Sequence, residues 1–326
     1  MPRTLRPALP ATAVILLALA APAAHAQANR VFASARSGND LNTCSNIATP
    51  CQTLQGAVNQ VAAGGAVLVL DTGGYGPISI GKAVSIEAPA GIEAFIHPPS
   101  GTAVTITAGA SDVVVLRGLI LSVGSSYGID FISGLALHVE RCVIQGFTAG
   151  IIASRSSGNT ELDLYVEDTI VRSCGDGILA GALNGTVRAT VDGCTLEGNG
   201  SFGLRSATDF CSSCVTQAVV HDTVAAGNNV GFDAASYGAG RVADLTIDAC
   251  TAANNSVAGI SADSSTGGSS TVRYSTSTVT GNGGPGASNW VGVRQFDPAQ
   301  CLSRLDSTVE GNHADFYGTI GSYAPR

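Results

Sequence analysis

The chain has 326 residues, a formal net charge of −8 and only 12% charged residues, with Lys82 as its single lysine. This balance disfavours a nucleic-acid-binding protein, because that function needs a basic stripe to replace the counterions of the phosphates. The 41 glycines, together with many serines, threonines, valines and asparagines, favour short strands joined by turns over a helical protein.

The first 26 residues read MPRTLRPALPATAVILLALAAPAAHA, with two arginines ahead of an apolar run from Ala11 to Ala21. Together with the final Ala-His-Ala, this pattern predicts a secretory signal peptide over residues 1–26, cleaved before Gln27. A membrane anchor is the competing interpretation, but the apolar run is shorter than the roughly 20 residues that span a bilayer. We therefore expect an exported protein, periplasmic or extracellular, without a membrane span after cleavage.

Residues 27–66 form an N-terminal segment in which Cys44 and Cys51 flank a short loop. Exported proteins form disulfides, so we expect these two cysteines to pair. The stretch Pro50 to Ala63 (PCQTLQGAVNQVAA) indicates an amphipathic helix, because its apolar residues recur with helical spacing. These residues are Leu54, Ala57, Val58 and Val61. Such a helix would cap the open end of the next element and hide a sheet edge that otherwise recruits other chains.

Residues 67–326 read as short strands, irregular at first and then repeating. The early strands begin at Val67, Val84, Val104 and Val113. The later repeats align on one small residue, here called the anchor: Cys142, Thr169, Cys194, Thr223, Cys250, Ser277 and Ser307. By subtraction the anchors are 27, 25, 29, 27, 27 and 30 residues apart. A unit of this length is too short to enclose a core, so each unit has to stack on its neighbours.

Within a unit, apolar and polar residues alternate as in a half-buried strand. Leu245 and Ile247 alternate with polar neighbours, and a second strand follows at Gly259-Ile260. Three short strands per coil predict an all-β fold, a right-handed, single-stranded parallel β-helix. The core motif, roughly I-x-x-C/T-x-x-x-G-N followed by Gly-Ile, resembles the repeats of the pectate-lyase-like superfamily, in particular its exported bacterial members. The resemblance covers residues 67–323 and is clear from Leu137 onward.

An asparagine recurs five residues after most anchors. In stacked coils these residues form a column: Asn199, Asn228, Asn255, Asn282 and Asn312. We interpret the column as a structural ladder, because asparagine satisfies backbone groups at bends. The anchor cysteines lie two coils apart, roughly 10 Å, which is too far for a disulfide. We therefore expect small buried thiols at the anchors, not bridges or metal ligands.

A Cys-x-x-Cys motif joins Cys211 and Cys214 in a long loop. A local disulfide is the favoured interpretation, with Cys301 as a third candidate partner in this region. A redox or metal pair is the alternative, but the sequence has no second Cys-x-x-Cys, no histidine cluster and no thioredoxin-like pattern around the motif.

The resemblance implies where an active site would lie. Lyases of this fold generally bind substrate on the outer face of one sheet, with an acidic calcium cluster and a basic residue. The positions expected to face outward after the Gly of each coil are Ile152, Leu179, Arg205, Asp233 and Ser261. Arg205 and Asp233 are either an exposed ion pair of little energetic weight or weak catalytic candidates. In the second case Arg205 clamps a sugar carboxylate, with Asp233 and Tyr237 beside it.

A second column is more acidic and lies two positions before each anchor. Its members are Glu140, Glu167, Asp192, His221 and Asp248. Stacked like charges repel, so either solvent or a bound cation has to relieve the repulsion. Solvation is the simpler interpretation, and a weak calcium or polycation site on the four carboxylates is the alternative. His221 is expected to pair with Asp192 or Asp248, which would raise its pKa.

The sequence favours a non-catalytic role in binding or surface structure. It has no Asp-Asp, no Gly-His and no Asp-His pair of the kinds that the hydrolases and lyases of this fold show, and fold alone does not license an activity. An extracellular polysaccharide or a partner protein is the expected ligand. No cofactor is expected, and calcium is the weak alternative. A polysaccharide lyase or epimerase acting on uronate polymers is the alternative, and an adhesin-like module is a third interpretation. The aromatic candidates for an exposed binding surface are Tyr237, Trp290 and Phe296.

Overall fold

The chain winds into a right-handed parallel β-helix in which successive coils contribute strands to three sheets. The computed structural model describes residues 27–155, 161–182, 185–208, 213–265, 267–285 and 289–324. The predicted signal peptide therefore lies outside the described residues. The predicted fold class is confirmed, because every strand pairs in parallel with the equivalent strands of the neighbouring coils.

Three sheets run along the axis, and we number them in the order in which each coil visits them. The strand counts are those of the described residues. Sheet 1 has twelve strands: Ala28–Ala33, Val61–Val69, Val84–Glu87, Val113–Arg117, Ala136–Glu140, Glu161–Glu167, Gly185–Asp192, Cys214–His221, Val242–Asp248, Ser269–Ser275, Gln300–Ser303 and Gly321–Ser322. Sheet 2 has ten: Gly73–Gly74, Ala94–Ile96, Leu119–Ser122, Val143–Gln145, Ile170–Arg172, Thr195–Glu197, Val224–Ala226, Thr251–Ala253, Thr278–Thr280 and Thr308–Glu310. Sheet 3 also has ten: Ile78–Ile80, Val104–Thr107, Tyr127–Ser133, Ala149–Arg155, Asp176–Ala182, Phe202–Thr208, Val230–Tyr237, Ala258–Ser265, Val291–Gln295 and Phe316–Tyr317.

The core is a continuous column of aliphatic side chains inside the three sheets. Leu245 and Ile247 of sheet 1 point inward and are fully buried, while Thr246 and Asp248 between them face outward. The residue after the recurring glycine, such as Ile260, is also fully buried in the core. Burying each such side chain stabilises the fold by roughly 1.5–3 kcal/mol, so the stacked coils account for the stability that one coil lacks.

The first coil is closed by a short helix, Leu54–Gln60, inside the predicted stretch 50–63. It begins after Thr53, whose hydroxyl accepts a hydrogen bond from the Gly56 amide at 2.9 Å, as expected of an N-cap. It ends at Gln60, and the next residue, Val61, is already extended and begins a strand of sheet 1. The disulfide between Cys44 and Cys51 closes the loop that leads into this cap.

Sheet 1 begins earlier than residue 67. The strand Ala28–Ala33 pairs in parallel with Val61–Val69 and so belongs to the sheet, although the loop and the helix separate the two in sequence. The distance in sequence from this strand to the next strand of sheet 1 does not match the repeat length, because the loop and the capping helix are inserted between them.

The asparagine column lies in the bend between sheets 2 and 3 and binds consecutive coils to one another. Asn255 shows the pattern: its Nδ2 donates to the Ala225 carbonyl at 3.0 Å and to Asn282 Oδ1 at 2.9 Å. Its own Oδ1 accepts from the Asn228 amide at 3.0 Å and from Asn228 Nδ2 at 3.1 Å. Asn199, Asn228, Asn255 and Asn282 are buried, so the ladder satisfies polar groups that water cannot reach.

The anchor cysteines Cys142, Cys194 and Cys250 are free and buried. Each thiol donates weakly to a backbone carbonyl of the preceding coil, as Cys250 does to Val220 at 3.5 Å. Burial raises the pKa of the Cys142 and Cys250 thiols to about 11 and that of Cys194 to about 12. They therefore stay protonated at neutral pH, and a thiol is neither a good nucleophile nor a metal ligand.

Among the remaining cysteines, Cys174 is free and buried, Cys214 is bonded and Cys301 is unbonded. Cys214 is disulfide-bonded, and Cys211, its expected partner, lies outside the described residues. Cys301 is free and fully buried in the core. The expectation that Cys301 is a third partner in this region is therefore wrong, because its side chain points into the β-helix between the sheets.

Val123 occupies a left-handed position that glycine fills in several other coils. Its φ is 50° and it is 59% exposed, whereas Gly146, Gly198 and Gly227 hold the equivalent bend in later coils. A β-branched residue in this conformation costs about 1–2 kcal/mol. We expect Val123→Gly to raise the free energy of unfolding by about 1 kcal/mol after the entropy of the unfolded glycine is subtracted, as measured by urea denaturation.

Val219 provides the matched control for this substitution. It is an exposed valine in an extended strand of sheet 1, so Val219→Gly should lower the free energy of unfolding by about 1 kcal/mol. Equal losses in both variants would contradict a strained backbone at Val123.

Candidate functional site

One column of charged side chains crosses the outer face of sheet 1. The strand pairings place its seven members side by side in consecutive coils: Glu87, Arg117, Glu140, Glu167, Asp192, His221 and Asp248. Five of them were predicted from their offset to the anchors. Glu87 and Arg117 were missed, because they lie in the early coils where the sequence repeat is irregular.

Most carboxylates of this column have a partner in an adjacent coil. Arg117 donates to Glu140 from Nε at 2.6 Å and from Nη2 at 3.0 Å, and this hydrogen bonding holds the pKa of Glu140 below its usual value. Asp192 Oδ1 lies 3.0 Å from His221 Nδ1, and the contact raises the pKa of His221. Like-charge repulsion along the column is therefore relieved partly by neighbouring cations and not by solvent alone.

The four carboxylates named as candidate calcium ligands stand in line and do not converge. Glu140, Glu167 and Asp192 lie about one strand spacing, roughly 4.8 Å, apart along the axis, and Asp248 lies two spacings beyond Asp192, whereas calcium needs six or more oxygens around one point. Asp248 accepts a hydrogen bond from the Ser275 hydroxyl at 2.7 Å. Across the described ranges, no group of three or more histidine, cysteine or acidic side chains is arranged to hold a metal ion.

An aromatic pair lies on the same outer face, two residues before Glu140 and Glu167. The rings of His138 and Tyr165 stack with their centroids 4.6 Å apart and their planes 12° from parallel. Both side chains are half-buried. The sequence analysis overlooked this pair, although a signal existed, since each ring lies four residues before an anchor.

Ion pairs continue the polar surface on the strands next to the rings. Arg188 binds Glu161 through both terminal nitrogens, one of them at 2.8 Å, and lies 3.8 Å from Asp163. These three residues and the ring pair lie on neighbouring strands of sheet 1. The outer face of sheet 1 is thus a flat strip of paired charges with an aromatic platform beside them.

The Arg205–Asp233 pair lies on the outer face of sheet 3, but the expected exposure is wrong. Arg205 Nε lies 3.1 Å from Asp233 Oδ2, and the side chains are only 19% and 4% exposed. The guanidinium also lies 4.7 Å from the ring centroid of Phe202. Burial raises the pKa of the Asp233 carboxyl, and the nearby charge of Arg205 opposes this shift. A buried pair whose members bind each other is poorly placed to clamp a sugar carboxylate.

The other predicted site residue, Tyr237, binds a different carboxylate. Its hydroxyl donates to Asp263 Oδ2 at 2.7 Å, and burial together with this bond raises its pKa. Among the other aromatic candidates, Trp290 and Phe296 are half-buried. The structure therefore brings Arg205 and Asp233 together and directs the Tyr237 hydroxyl to the next coil.

Comparison with known proteins bears on the fold. No protein-family model and no curated protein sequence matches this chain. The crystal structure of pectate lyase Pel9A is similar, with a TM-score of 0.56 and 14% sequence identity over 90% of this chain and 79% of that chain. The protein has a pectate-lyase-like β-helix fold. At this identity the likeness to Pel9A concerns the fold alone.

Two further observations concern the pectate-lyase-like β-helix as a whole. No helix within the described residues is long and apolar enough to cross a membrane. The fold and the Cys44–Cys51 disulfide are consistent with an extracellular protein.

Proposed function

We propose that this protein is an exported, non-catalytic β-helix that binds an extended glycan along the outer face of sheet 1. The observation that carries the proposal is the stacked His138–Tyr165 pair on that face. Flat aromatic rings offer a large apolar surface with a polar edge, which suits the face and the hydroxyl rim of a sugar ring. The export part of the proposal is supported by the N-terminal sequence pattern and by the disulfide.

The polar groups around the rings favour a hydroxyl-rich glycan. Carboxylates accept hydrogen bonds only, and Glu167 and Asp192 are exposed one coil apart, beside the ring of Tyr165. A linear glycan along the axis would meet equivalent positions at intervals of about 4.8 Å. A polyuronate would meet the negative charge of the column, so neutral glycans are the preferred class.

A polysaccharide lyase or epimerase is the second candidate function. The likeness of the fold to a pectate lyase favours it. The Arg205–Asp233 pair argues against this alternative. The two side chains bind each other and are mostly buried, so neither is presented to a polymer on the surface. A lyase of this kind would use calcium to neutralise the carboxylate of the uronate, so the test described next is run with and without calcium.

A glycan array on the chain from Gln27 onward, with and without calcium, tests the proposal. We expect binding to neutral extended glycans that falls about tenfold in Tyr165→Ala, which removes one ring of the platform at a cost of about 1–1.5 kcal/mol. Arg172→Ala on sheet 2 is the matched control, since Arg172 is exposed and lies on a different face. It should leave the affinity unchanged.

An ultraviolet assay for unsaturated uronate products on pooled polyuronates runs beside the array. Product formation that Arg205→Ala abolishes would establish the lyase function and overturn the non-catalytic proposal. Absence of both binding and product would argue for a structural or protein-binding role. Equal binding by the wild type and Tyr165→Ala would remove sheet 1 as the binding face.

A further inference from the structure

A second arginine, Arg294, lies on the outer face of sheet 3, two coils beyond Asp233. The strand pairings align Asp233 with Ser261, Ser261 with Arg294 and Arg294 with Tyr317. Arg294 Nε donates to the Ser261 hydroxyl at 3.0 Å, which fixes one edge of the guanidinium. The guanidinium carbon lies 5.4 Å from the ring centroid of Phe296. The planar group is therefore held between a hydroxyl and an aromatic ring.

Arg294 differs from Arg205 in its counter-charge. Arg205 is bound to Asp233, which can neutralise only one of the two arginines at ion-pair distance. Among the residues that the structure describes, no carboxylate lies within ion-pair distance of Arg294, and its only hydrogen bond is the one to Ser261. Asp233 and Asp263 act on Arg294 at longer range, while burial lowers its pKa. The half-buried guanidinium keeps two terminal nitrogens that make no hydrogen bond within the described part of the chain and still reach solvent, so they are available to an incoming anion.

The groups around Arg294 fit an oxyanion on a carbohydrate. A planar fork of donors matches the geometry of a carboxylate or sulfate. Phe296 and Tyr317 lie beside it with ring centroids 5.5 Å apart, and Tyr317 is 37% exposed, so an aromatic surface adjoins the cation. In such a site the guanidinium can bind the charged group while the aromatic rings contact the sugar that carries it.

We propose that Arg294, positioned by Ser261 and flanked by Phe296 and Tyr317, is a binding site for a carboxylate or sulfate group. This site is separate from the glycan surface on sheet 1 and does not depend on it. The ligand group is either a free oxyanion or a substituent of an acidic glycan. The protein carries a net charge of −8, so polyanions are repelled in general and binding at Arg294 has to come from specific contacts.

The negative charge of Asp263 repels an anion bound at Arg294, so removing this charge gives a second test of the proposal. Its carboxylate accepts the Tyr237 hydroxyl and acts on Arg294 without forming an ion pair. Asp263→Asn keeps an acceptor for Tyr237 and removes the repulsion, so it should tighten oxyanion binding severalfold. If Asp263 were the counter-ion of Arg294 through a water molecule, the same change would lower the unfolding temperature and leave oxyanion binding unchanged, which would overturn the proposal.

Calorimetric titration with three forms of one polymer tests the site: dextran, carboxymethyl dextran and dextran sulfate. We expect the two charged forms to bind more tightly than dextran, and Arg294→Met to weaken binding of the charged forms at least tenfold while leaving any binding of dextran to sheet 1 unchanged. Arg294→Lys keeps the charge but loses the fork, so its affinity should fall between the two. Arg172→Met, which removes an exposed arginine on sheet 2, is the matched control and should bind as the wild type.

Two measurements separate the sources of the ligand and a purely structural role. Sodium sulfate at matched ionic strength, compared with sodium chloride, should raise the unfolding temperature of the wild type more than that of Arg294→Met if a free oxyanion suffices. A response to the polymers alone would assign the site to a polymer-borne group. Equal affinity of the wild type, Arg294→Met and Arg294→Lys for both charged polymers would overturn the proposal. So would a lower unfolding temperature of Arg294→Met combined with no anion response of the wild type.

Discussion

Arg205→Met is expected to lower the free energy of unfolding by about 3–5 kcal/mol at neutral pH. The substitution keeps the bulk of the side chain but leaves the carboxylate of Asp233, which is 4% exposed, without its ion-pair partner. An exposed pair of the kind first expected would cost less than about 1 kcal/mol. Urea denaturation at pH 7 distinguishes the two magnitudes directly.

The pH dependence of this loss follows from the direction of the pKa shift. Burial raises the pKa of Asp233 in the folded protein, and removing Arg205 raises it further. The protonated carboxyl is tolerated in the fold, so the loss in Arg205→Met should vanish below the unfolded pKa of about 3.9. As the pH rises through the raised folded pKa, the loss should grow to its full size. Denaturation curves at pH 3.5 and pH 7 test this sign.

The double variant Arg205→Met/Asp233→Leu is the control for a charge effect. It removes both charges together, so its free energy of unfolding should lie much closer to that of the wild type than the single variant does. If the double variant is as unstable as Arg205→Met, the cost comes from lost packing of the arginine against Phe202 and not from an unpaired carboxylate.

Asn255→Ala is expected to lower the free energy of unfolding by about 3 kcal/mol. The substitution removes four hydrogen bonds and leaves the buried backbone amide of Asn228 without its acceptor. Each buried polar group left unsatisfied costs about 1–3 kcal/mol. Thermal or urea unfolding measures the loss.

Asn312 serves as the matched comparison at the end of the same ladder. It accepts from Asn282 like the other ladder members, but it is only partly buried. Water can replace its bonds, so Asn312→Ala should cost about 1 kcal/mol. If Asn255→Ala cost no more than Asn312→Ala, the ladder would be dispensable for stability.

The inward side of this fold could be predicted from the sequence, and the outward side only in part. Leu245, Ile247 and Ile260 were predicted to point inward from alternation and from the Gly-Ile motif, since an inward position in a solenoid always meets the core. The acidic column could be aligned in the same way, because positions at the same offset from the anchor stack in successive coils. These inferences need only the alternation within a strand and the repeat length of the coils.

The exposure of Asp233 and the roles of the rings depend on more than the period. Asp233 is buried because Arg205 of the preceding coil and Ser261 of the next lie against it, which follows from side-chain lengths in three coils at once. His138 and Tyr165 stack because two unlike residues occupy the same outward column. Neither outcome is encoded in the spacing of the anchors.

The asparagine ladder also makes the length of the molecule a modular quantity. Asn228, Asn255 and Asn282 are each 27 residues apart and bind the same groups of their neighbours. A whole coil duplicated at Asn255 would therefore meet a ready-made set of partners on both sides, whereas one extra residue in a strand would turn its core side chains toward solvent. Each duplicated coil would lengthen the outer faces by about 4.8 Å and would bring its own core residues. The molecule can therefore become longer without any change in how its interior is packed.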